Sequence, residues 1–359
     1  MKKALIFDPY LDTLGGGERY ALTFAQVISK LGYAVDLAWK NEADLVEAQR
    51  RFGLDLSRVE LNQKAWHLCA SHSSLPKRFQ FTGKYDLIFW VSDGSLPFLF
   101  GKNNLVHFQV PFTIPFNRMG GNPLLKNLKL LFINKLVYNS NFTKQVLERS
   151  FPPSKAFVLY PPIDTDQFKP GEKENIILSV ARFASPSHSK RQDVLIKAFK
   201  LFSKGNKDYR LVLAGGFTGE ESVLSKLKNL AKGLKVDIVT NPSFDELKRL
   251  YAKARFFWHG AGFEVDEEGN PEKVEHFGMT TVEAMSAGAV PVVIAKGGQK
   301  EIVNKENGAL VNTATEMANI TQSFASDKDL LHDLSESSIT ASKQFSIDEF
   351  SKKIVELIG

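Results

Sequence analysis

Glu275-His276-Phe277-Gly278-Met279-Thr280-Thr281-Val282-Glu283-Ala284-Met285-Ser286-Ala287-Gly288-Ala289-Val290-Pro291-Val292-Val293 is the stretch from which the rest of the chain can be placed. It runs into Val290 to Ala295, a short apolar run bracketed by Gly288 and Gly297-Gly298, whose length and β-branching predict a buried parallel strand. Thr280 to Ala287 predicts a helix, with Val282, Met285 and Ser286 on one face. The helix therefore begins just after Gly278. Unpaired backbone N–H groups at a helix N-terminus form an anion site, and a glycine just ahead lets a ligand approach the backbone closely. Two carboxylates flank this site, Glu275 before the helix and Glu283 about one turn inside it. A carboxylate repels a phosphate, so the natural targets of both are sugar hydroxyls, which donate hydrogen bonds to it.

Working outward, Arg255 to His259 predicts another strand, which enters the acidic loop Glu264 to Glu275. That loop has the wrong ligand spacing for a cation and reads as a solvated flap. Asn175 to Val180 begins a strand and helix alternation, delivers Ala181-Arg182-Phe183, and is followed by Lys190-Arg191-Gln192-Asp193 and the helix Val194 to Phe202. Leu211 to Gly216 and Val236 to Val239 are further strands, and Ser243-Phe244-Asp245-Glu246 is a capping box opening a helix to Ala254. Ser346 to Ile358 is a last amphipathic helix.

The first half repeats the alternation. Ala4 to Phe7 and Tyr33 to Trp39 predict strands, and between them Tyr20, Phe24, Val27, Ile28 and Leu31 fall at helical spacing. Gly15-Gly16-Gly17 lies where loop meets helix, the place at which doubly wound sheets hold phosphate-bearing ligands. It is neither a dinucleotide fingerprint, because Tyr20 stands where the third small residue belongs, nor a P-loop, because no Gly-Lys-Ser/Thr follows. Tyr85 to Val91 and Leu105 to Phe108 are the next strands, which puts His107 at a strand end. Asp164-Thr165-Asp166 spells a metal-binding triplet, but the preceding Pro161-Pro162 and the following Phe168 suit an interdomain connector better.

The pair Glu275 and Glu283, with Phe277-Gly278 between and Gly297-Gly298-Gln299-Lys300-Glu301 after, resembles the donor-site signature of the retaining glycosyltransferases of family 4. The resemblance covers almost the whole chain, strongest at 275–301 and weakest at 40–82. It implies an α/β chain of GT-B architecture, two doubly wound Rossmann-like domains facing across a cleft: 1–169 on the acceptor side, 170–342 for the nucleotide sugar, and a helix at 343–359 returning to the first domain. By the same resemblance Glu275 sits at the transferred sugar, Glu283 holds the ribose, and Phe277, Gly278, Met279 and Thr280 present the turn to the diphosphate. Gly15, Gly16 and Gly17 face the donor, His107 hydrogen-bonds the transferred sugar, and Arg182 with Lys190 neutralises the diphosphate. Arg191 is an alternative to Lys190, because the loop before it is slightly long.

The implied function is retaining transfer of a hexose from GDP-mannose or a UDP-hexose to a hydroxyl of a glycan or lipid-linked acceptor, with the nucleotide sugar as co-substrate, no cofactor and no metal. Mannose is suggested because Tyr160-Pro161-Pro162-Ile163-Asp164 is similar to a segment of some mannosyl-transferring members. Two other readings stay open: a GT-B nucleotide-sugar epimerase or hydrolase, and a non-catalytic nucleotide-sugar-binding protein.

Composition bounds the rest. A chain of 359 residues suits two domains, and 43% hydrophobic with 24% charged residues is that of an ordinary globular protein. The single cysteine, Cys69, cannot form an internal disulfide, and no uninterrupted apolar run approaches a membrane span. A cytoplasmic protein is expected. The net charge of +6 is concentrated, because no acidic residue occurs between Asp93 and Glu148 while Lys102, Arg118, Lys126, Lys129, Lys135 and Lys144 do. Within that bias Pro123 to Val137 is apolar with basic punctuation, which reads either as peripheral contact of 118–137 with the anionic inner face of a membrane or as a core helix with a solvated basic edge. The stretch lacks the aromatic and arginine interleaving of a nucleic-acid platform, so no nucleic-acid partner is expected.

Overall fold

The computed structural model describes residues 1–70, 74–112, 123–183, 190–219 and 221–359. The chain divides into two compact units, Met1–Pro162 with Phe350–Gly359, and Ile163–Glu349.

In the first unit seven parallel strands form one sheet: β1 (Lys3–Phe7), β2 (Ala34–Ala38), β3 (Val59–Leu61), β4 (Leu87–Val91), β5 (Asn103–Phe108), β6 (Lys135–Tyr138) and β7 (Ala156–Val158). Their order is β3-β2-β1-β4-β5-β6-β7. Every residue of β4 is buried, as expected of a strand covered on both faces by helices. The helix Gly16–Lys30 lays Tyr20, Phe24, Val27 and Ile28 on one face of the sheet, with Phe24 stacked on Phe89 at 4.0 Å between centroids. Phe350, Ile354 and Leu357 of the helix Ile347–Ile358 complete the same core. Each such side chain contributes about 1.5–3 kcal/mol on burial, so these three hold the end of the chain on the first unit.

The second unit has six parallel strands, β8 (Glu174–Val180), β9 (Arg210–Gly215), β10 (Val236–Thr240), β11 (Ala254–His259), β12 (Val290–Ile294) and β13 (Ala309–Val311), in the order β10-β9-β8-β11-β12-β13. Both sheets thus have the doubly wound 3-2-1-4-5-6 order, extended by a seventh strand in the first, in which strand order reverses beside the first strand and opens a crevice at the strands' C-terminal ends. In the second unit that point lies between β8 and β11.

Several expectations change at this level. The division falls after Pro162 rather than after residue 169, because Ile163 donates its N–H to Phe345 O at 2.8 Å and bridges Ser346, while Ser286 Oγ donates to Phe168 O at 2.9 Å. Asp164 is part of a turn, its carboxylate accepting from Gln167 Nε2 at 2.6 Å. The segment 123–137 is not one helix: Pro123–Leu131 is helical, and 135–137 belong to β6, in which Leu136 and Val137 are buried. Residues 118–122 lie outside the described residues. Strands β3, β7 and β13, of three residues each, are too short to show a period in the sequence.

Candidate functional site

The helix Met279–Ser286 starts where the sequence predicts, and its N-cap is Gly278 at φ +118°, a conformation that costs glycine nothing and any other residue strain. No side chain caps it. The first intrahelical bonds are made by Thr281 and Val282, whose N–H groups both point to Gly278 O. This leaves the half-buried amides of Met279 and Thr280 at the mouth of the helix.

Glu275 stands just before this turn and is gathered into a cluster. Its Oε2 accepts from Lys190 Nζ at 2.8 Å and lies 3.2 Å from His259 Nε2. Burial pushes the Glu275 carboxyl up, but the Lys190 charge and the His259 hydrogen bond outweigh it and hold the group well below the usual carboxylate range. Lys190 follows β8 and His259 ends β11, so the cluster is assembled at the switch point of the sheet. His259 had no role in the sequence reading. Its signal was position: it is the last residue of a strand next to the reversal of strand order, and only the sheet order shows which strand that is.

Lys190 and Arg191 go different ways. Arg191 takes the left-handed conformation at φ +54°, pairs through Nε with Asp193 Oδ1 at 3.1 Å, and donates Nη1 to Phe263 O at 3.0 Å. Lys190 is the one that meets Glu275. Arg182 is exposed, and its stem runs beside Gly216 at the end of β9. Glu283 is not a solvated helix residue: it is buried and accepts from the hydroxyl of the fully buried Tyr251 at 2.8 Å.

The glycines after β12 explain how the Glu275 turn is held. A Cβ on Gly297 would lie 2.2 Å from Glu275 O, and one on Gly298 would lie 2.4 Å from His276 O, so these positions admit only hydrogen. Gly298 N donates to Glu275 O at 2.8 Å. Gly297 N donates to Glu267 Oε2 at 2.8 Å, and Lys300 reaches Glu267 Oε1 at 2.6 Å. The acidic loop is therefore clamped to the site rather than freely solvated. Gln299, fully buried, has neither amide atom hydrogen-bonded, and a Cβ on Gly278 would lie 2.9 Å from its Nε2. Among the described residues no group of three His, Cys, Asp or Glu could hold a metal ion.

In the first unit the three glycines mark the junction of loop and helix, where the sequence puts them. Gly15 is the N-cap of the helix Gly16–Lys30, and its N–H donates to Glu18 Oε2 at 2.5 Å. Of the three glycine amides this one is taken by the protein itself, while Gly16 and Gly17 form the first helical turn. His107 does not meet a sugar from where it stands. Its ring is 0% exposed, stacked on Tyr20 at 4.2 Å, with Nδ1 3.1 Å from Val137 O, and burial pushes its pKa down to about 3. The reason is depth: His107 lies within β5 beneath Tyr20 of the helix Gly16–Lys30, and the strand ends only at Phe108. Gln109 is the residue that follows, and its Nε2 donates to Gly17 O at 3.2 Å. A Cβ on Gly17 would lie 1.8 Å from Gln109 Oε1, so the glycine makes room for this amide. At the end of β1, Asp8 is buried; burial and then Glu18 push its carboxyl up to about 7, against the Tyr10 N–H.

Two doubly wound units, the second with an uncapped helix mouth, a charge-held carboxylate and a cation gathered at its switch point, have the arrangement in which α/β proteins hold phosphate-bearing ligands. Two family models match: glycosyltransferase family 4 over residues 14–167, and glycosyl transferases group 1 over residues 162–340. The two models together span most of the chain, which belongs to this glycosyltransferase family. It is similar to an uncharacterized glycosyltransferase of Haemophilus influenzae, 25% identical over 377 residues that cover 99% of this chain and 98% of the relative. It is also similar to a GDP-Man:Man(3)GlcNAc(2)-PP-Dol alpha-1,2-mannosyltransferase of Dictyostelium discoideum, 24% identical over 249 residues that cover 64% of this chain and 47% of the relative. The chain spans less than half the length of this and of the Xenopus laevis mannosyltransferase. Among solved structures, a glycosyltransferase from Rickettsia africae superimposes with a TM-score of 0.76 at 19% identity, covering 99% of this chain and 97% of the other. HepE of Anabaena, solved with UDP and glucose, gives 0.70 at 18% identity and 99% of each chain. The fold is that of the GT-B glycosyltransferases.

Proposed function

We propose that the chain transfers a hexose, with retention, from a nucleotide diphosphate sugar to a hydroxyl of a glycan or lipid-linked acceptor. The observation that carries this is the ionised Glu275 with Lys190 at 2.8 Å, beside the uncapped helix at Gly278. In this reading the Met279 and Thr280 amides take the diphosphate, and Lys190 and Arg182 stabilise the negative charge that the leaving nucleotide gains as the glycosidic bond breaks. These groups do the charge neutralisation without a metal. Glu275 accepts a hydrogen bond from a hydroxyl of the transferred sugar, and Glu283 from the ribose.

The step is a front-face displacement. The bond from the anomeric carbon to the donor phosphate oxygen breaks, the acceptor oxygen bonds the same carbon on the same face, and the departing phosphate oxygen takes the acceptor's proton. GDP-mannose is favoured by the curated mannosyltransferase relatives, a UDP-hexose by the likeness to HepE. Thermal shift against UDP, GDP, ADP and their sugars tests donor binding, since a ligand at a hundred times its Kd adds about 2.7 kcal/mol. Proton NMR of the product then reads the anomer. An inverted product, or no response to any of these nucleotides, overturns the reading.

A further inference from the structure

Lys190 has two duties that pull apart. Its Nζ donates to Glu275 Oε2 at 2.8 Å, and on the reading above it also neutralises a diphosphate at the helix mouth beyond Gly278. A lysine that turns to a phosphate leaves behind a carboxylate whose side chain is only 18% exposed. Breaking a shielded ion pair by removing one partner strands the charge of the other away from water, which is the costly way to break it. A second group has to hold Glu275.

His259 is placed to be that group. The last residue of β11 and buried, it brings Nε2 to 3.2 Å from the same carboxylate oxygen, Oε2. Its Nδ1 accepts the N–H of Ala261 at 3.4 Å, so the neutral ring carries its proton on Nε2 and donates it to Glu275. The backbone beyond it has little slack: a Cβ on Gly260 would lie 3.0 Å from Arg191 O and 3.1 Å from Lys190 O, and one on Gly262, at φ +86°, 2.9 Å from Lys296 Cβ. The chain leaving β11 is thus seated between the Lys190–Arg191 backbone and Lys296. Lysine reaches Oε2 on a flexible four-carbon stem, whereas the imidazole is fixed through both ring nitrogens. With both partners on Oε2, no hydrogen bond among the described residues reaches Glu275 Oε1.

We infer that His259 is a positioning residue for the donor sugar: it keeps the Glu275 carboxylate turned, Oε1 towards the ligand, while Lys190 exchanges that carboxylate for the diphosphate. This role rests on the donor-site reading above. It divides the two partners of Oε2, the histidine staying through the exchange and the lysine moving. Nucleotide affinity then depends on a side chain that touches neither phosphate nor nucleoside. Without His259 a nucleotide has to draw Lys190 from a Glu275 that keeps no other partner, and its affinity falls. Removing the Glu275 charge as well gives the affinity back.

The test uses the full chain, with calorimetric Kd values for UDP and GDP on wild type, H259F, H259Q, E275Q and H259F/E275Q. H259F removes the N–H donor while keeping a ring, whereas the amide nitrogen of H259Q stands near the place of Nε2. Kd for the nucleotide that wild type binds is expected to rise at least about tenfold in H259F, and to return to within about threefold of wild type in H259F/E275Q. H259Q should also stay within about threefold. Lost packing alone does not produce that rescue, because Glu275→Gln restores no volume at position 259. In wild type, nitrogen-15 NMR should find the His259 proton on Nε2 with and without nucleotide. Far-UV circular dichroism and Tm check that H259F folds, and if it does not, H259N replaces it, since an amide at the Nδ1 position falls short of Oε2. Unchanged affinity in H259F, a loss that persists in the double variant, or a proton on Nδ1 overturns the role of His259 and leaves the donor site standing. A wild type that binds neither nucleotide overturns both.

Discussion

Glu275→Gln isolates the charge at the centre of the donor unit with little change of shape. At 2.8 Å and an effective dielectric of about 20, the attraction between Lys190 and Glu275 is about 6 kcal/mol. Desolvating each ion costs several kcal/mol, and the Lys190 side chain keeps 30% exposure, so the pair adds little net stability. The glutamine retains an oxygen for Lys190 or His259, and the fold should survive. Turnover should not. Removing one preorganised polar group from such a site costs about 2.7–4 kcal/mol, or about 10²–10³ in kcat. Initial rates with the donor found by thermal shift give kcat and KM, and calorimetry gives the nucleotide Kd. The expected result is a kcat down by that factor with nucleotide Kd within about threefold. An unchanged kcat, or a loss that merely tracks nucleotide affinity, refutes a role for this carboxylate at the sugar. The variant also carries a pH signature. Glu275's folded-state pKa lies below its ordinary 4.5, so its stabilisation is complete above that value and is lost as pH falls through the folded-state pKa. Melting curves of the Gln variant should lack that acid-limb loss.

His107, with its pKa pushed down to about 3, should show imidazole NMR shifts that stay at the neutral-form values from pH 8 to pH 5, and a titration near the ordinary 6.5 would mean the ring is open to solvent. Asp8 works in the opposite sense to Glu275: its folded-state pKa of about 7 lies above the ordinary 3.8, so its ionisation destabilises the fold as pH rises between those values. Asp8→Asn should therefore raise stability at pH 8, by an upper bound of about 4 kcal/mol, with the gain fading towards pH 4; equal gains at both pH values would show another cause. Gly297→Ala forces a Cβ to within 2.2 Å of Glu275 O and leaves alanine at φ +59°, and should cost about 1–3 kcal/mol in denaturant melts while lowering kcat more than Glu283-side nucleotide affinity; a silent substitution would mean the Glu275 turn is not clamped from this side.

Much of the fold was legible because it is written locally. The β-branched run at Val290–Ile294, the 3.6-residue spacing from Tyr20 to Ile28 and the glycine ahead of Met279 each fix their element through backbone sterics and side-chain periodicity, which act over a few residues. The same locality made Glu275, Glu283 and Gly278 readable as a spaced set. Short strands such as β7 and β13 carry too few residues to show a period, and exist because a neighbouring strand offers its edge.

What only the tertiary structure decided is which side each side chain faces and whom it meets. Lys190 and Glu275 lie 85 positions apart, and His259 joins them because β8 and β11 are neighbours at the reversal of strand order. His107 and Gln109 are two residues apart, yet the first is sealed under Tyr20 and the second opens towards Gly17, since the strand ends between them. The helix Pro123–Leu131 shows leucines and lysines in the sequence without saying which face turns outward. Facing and proximity are properties of the assembled sheet and its helix layers, set by long-range packing that no window of sequence contains.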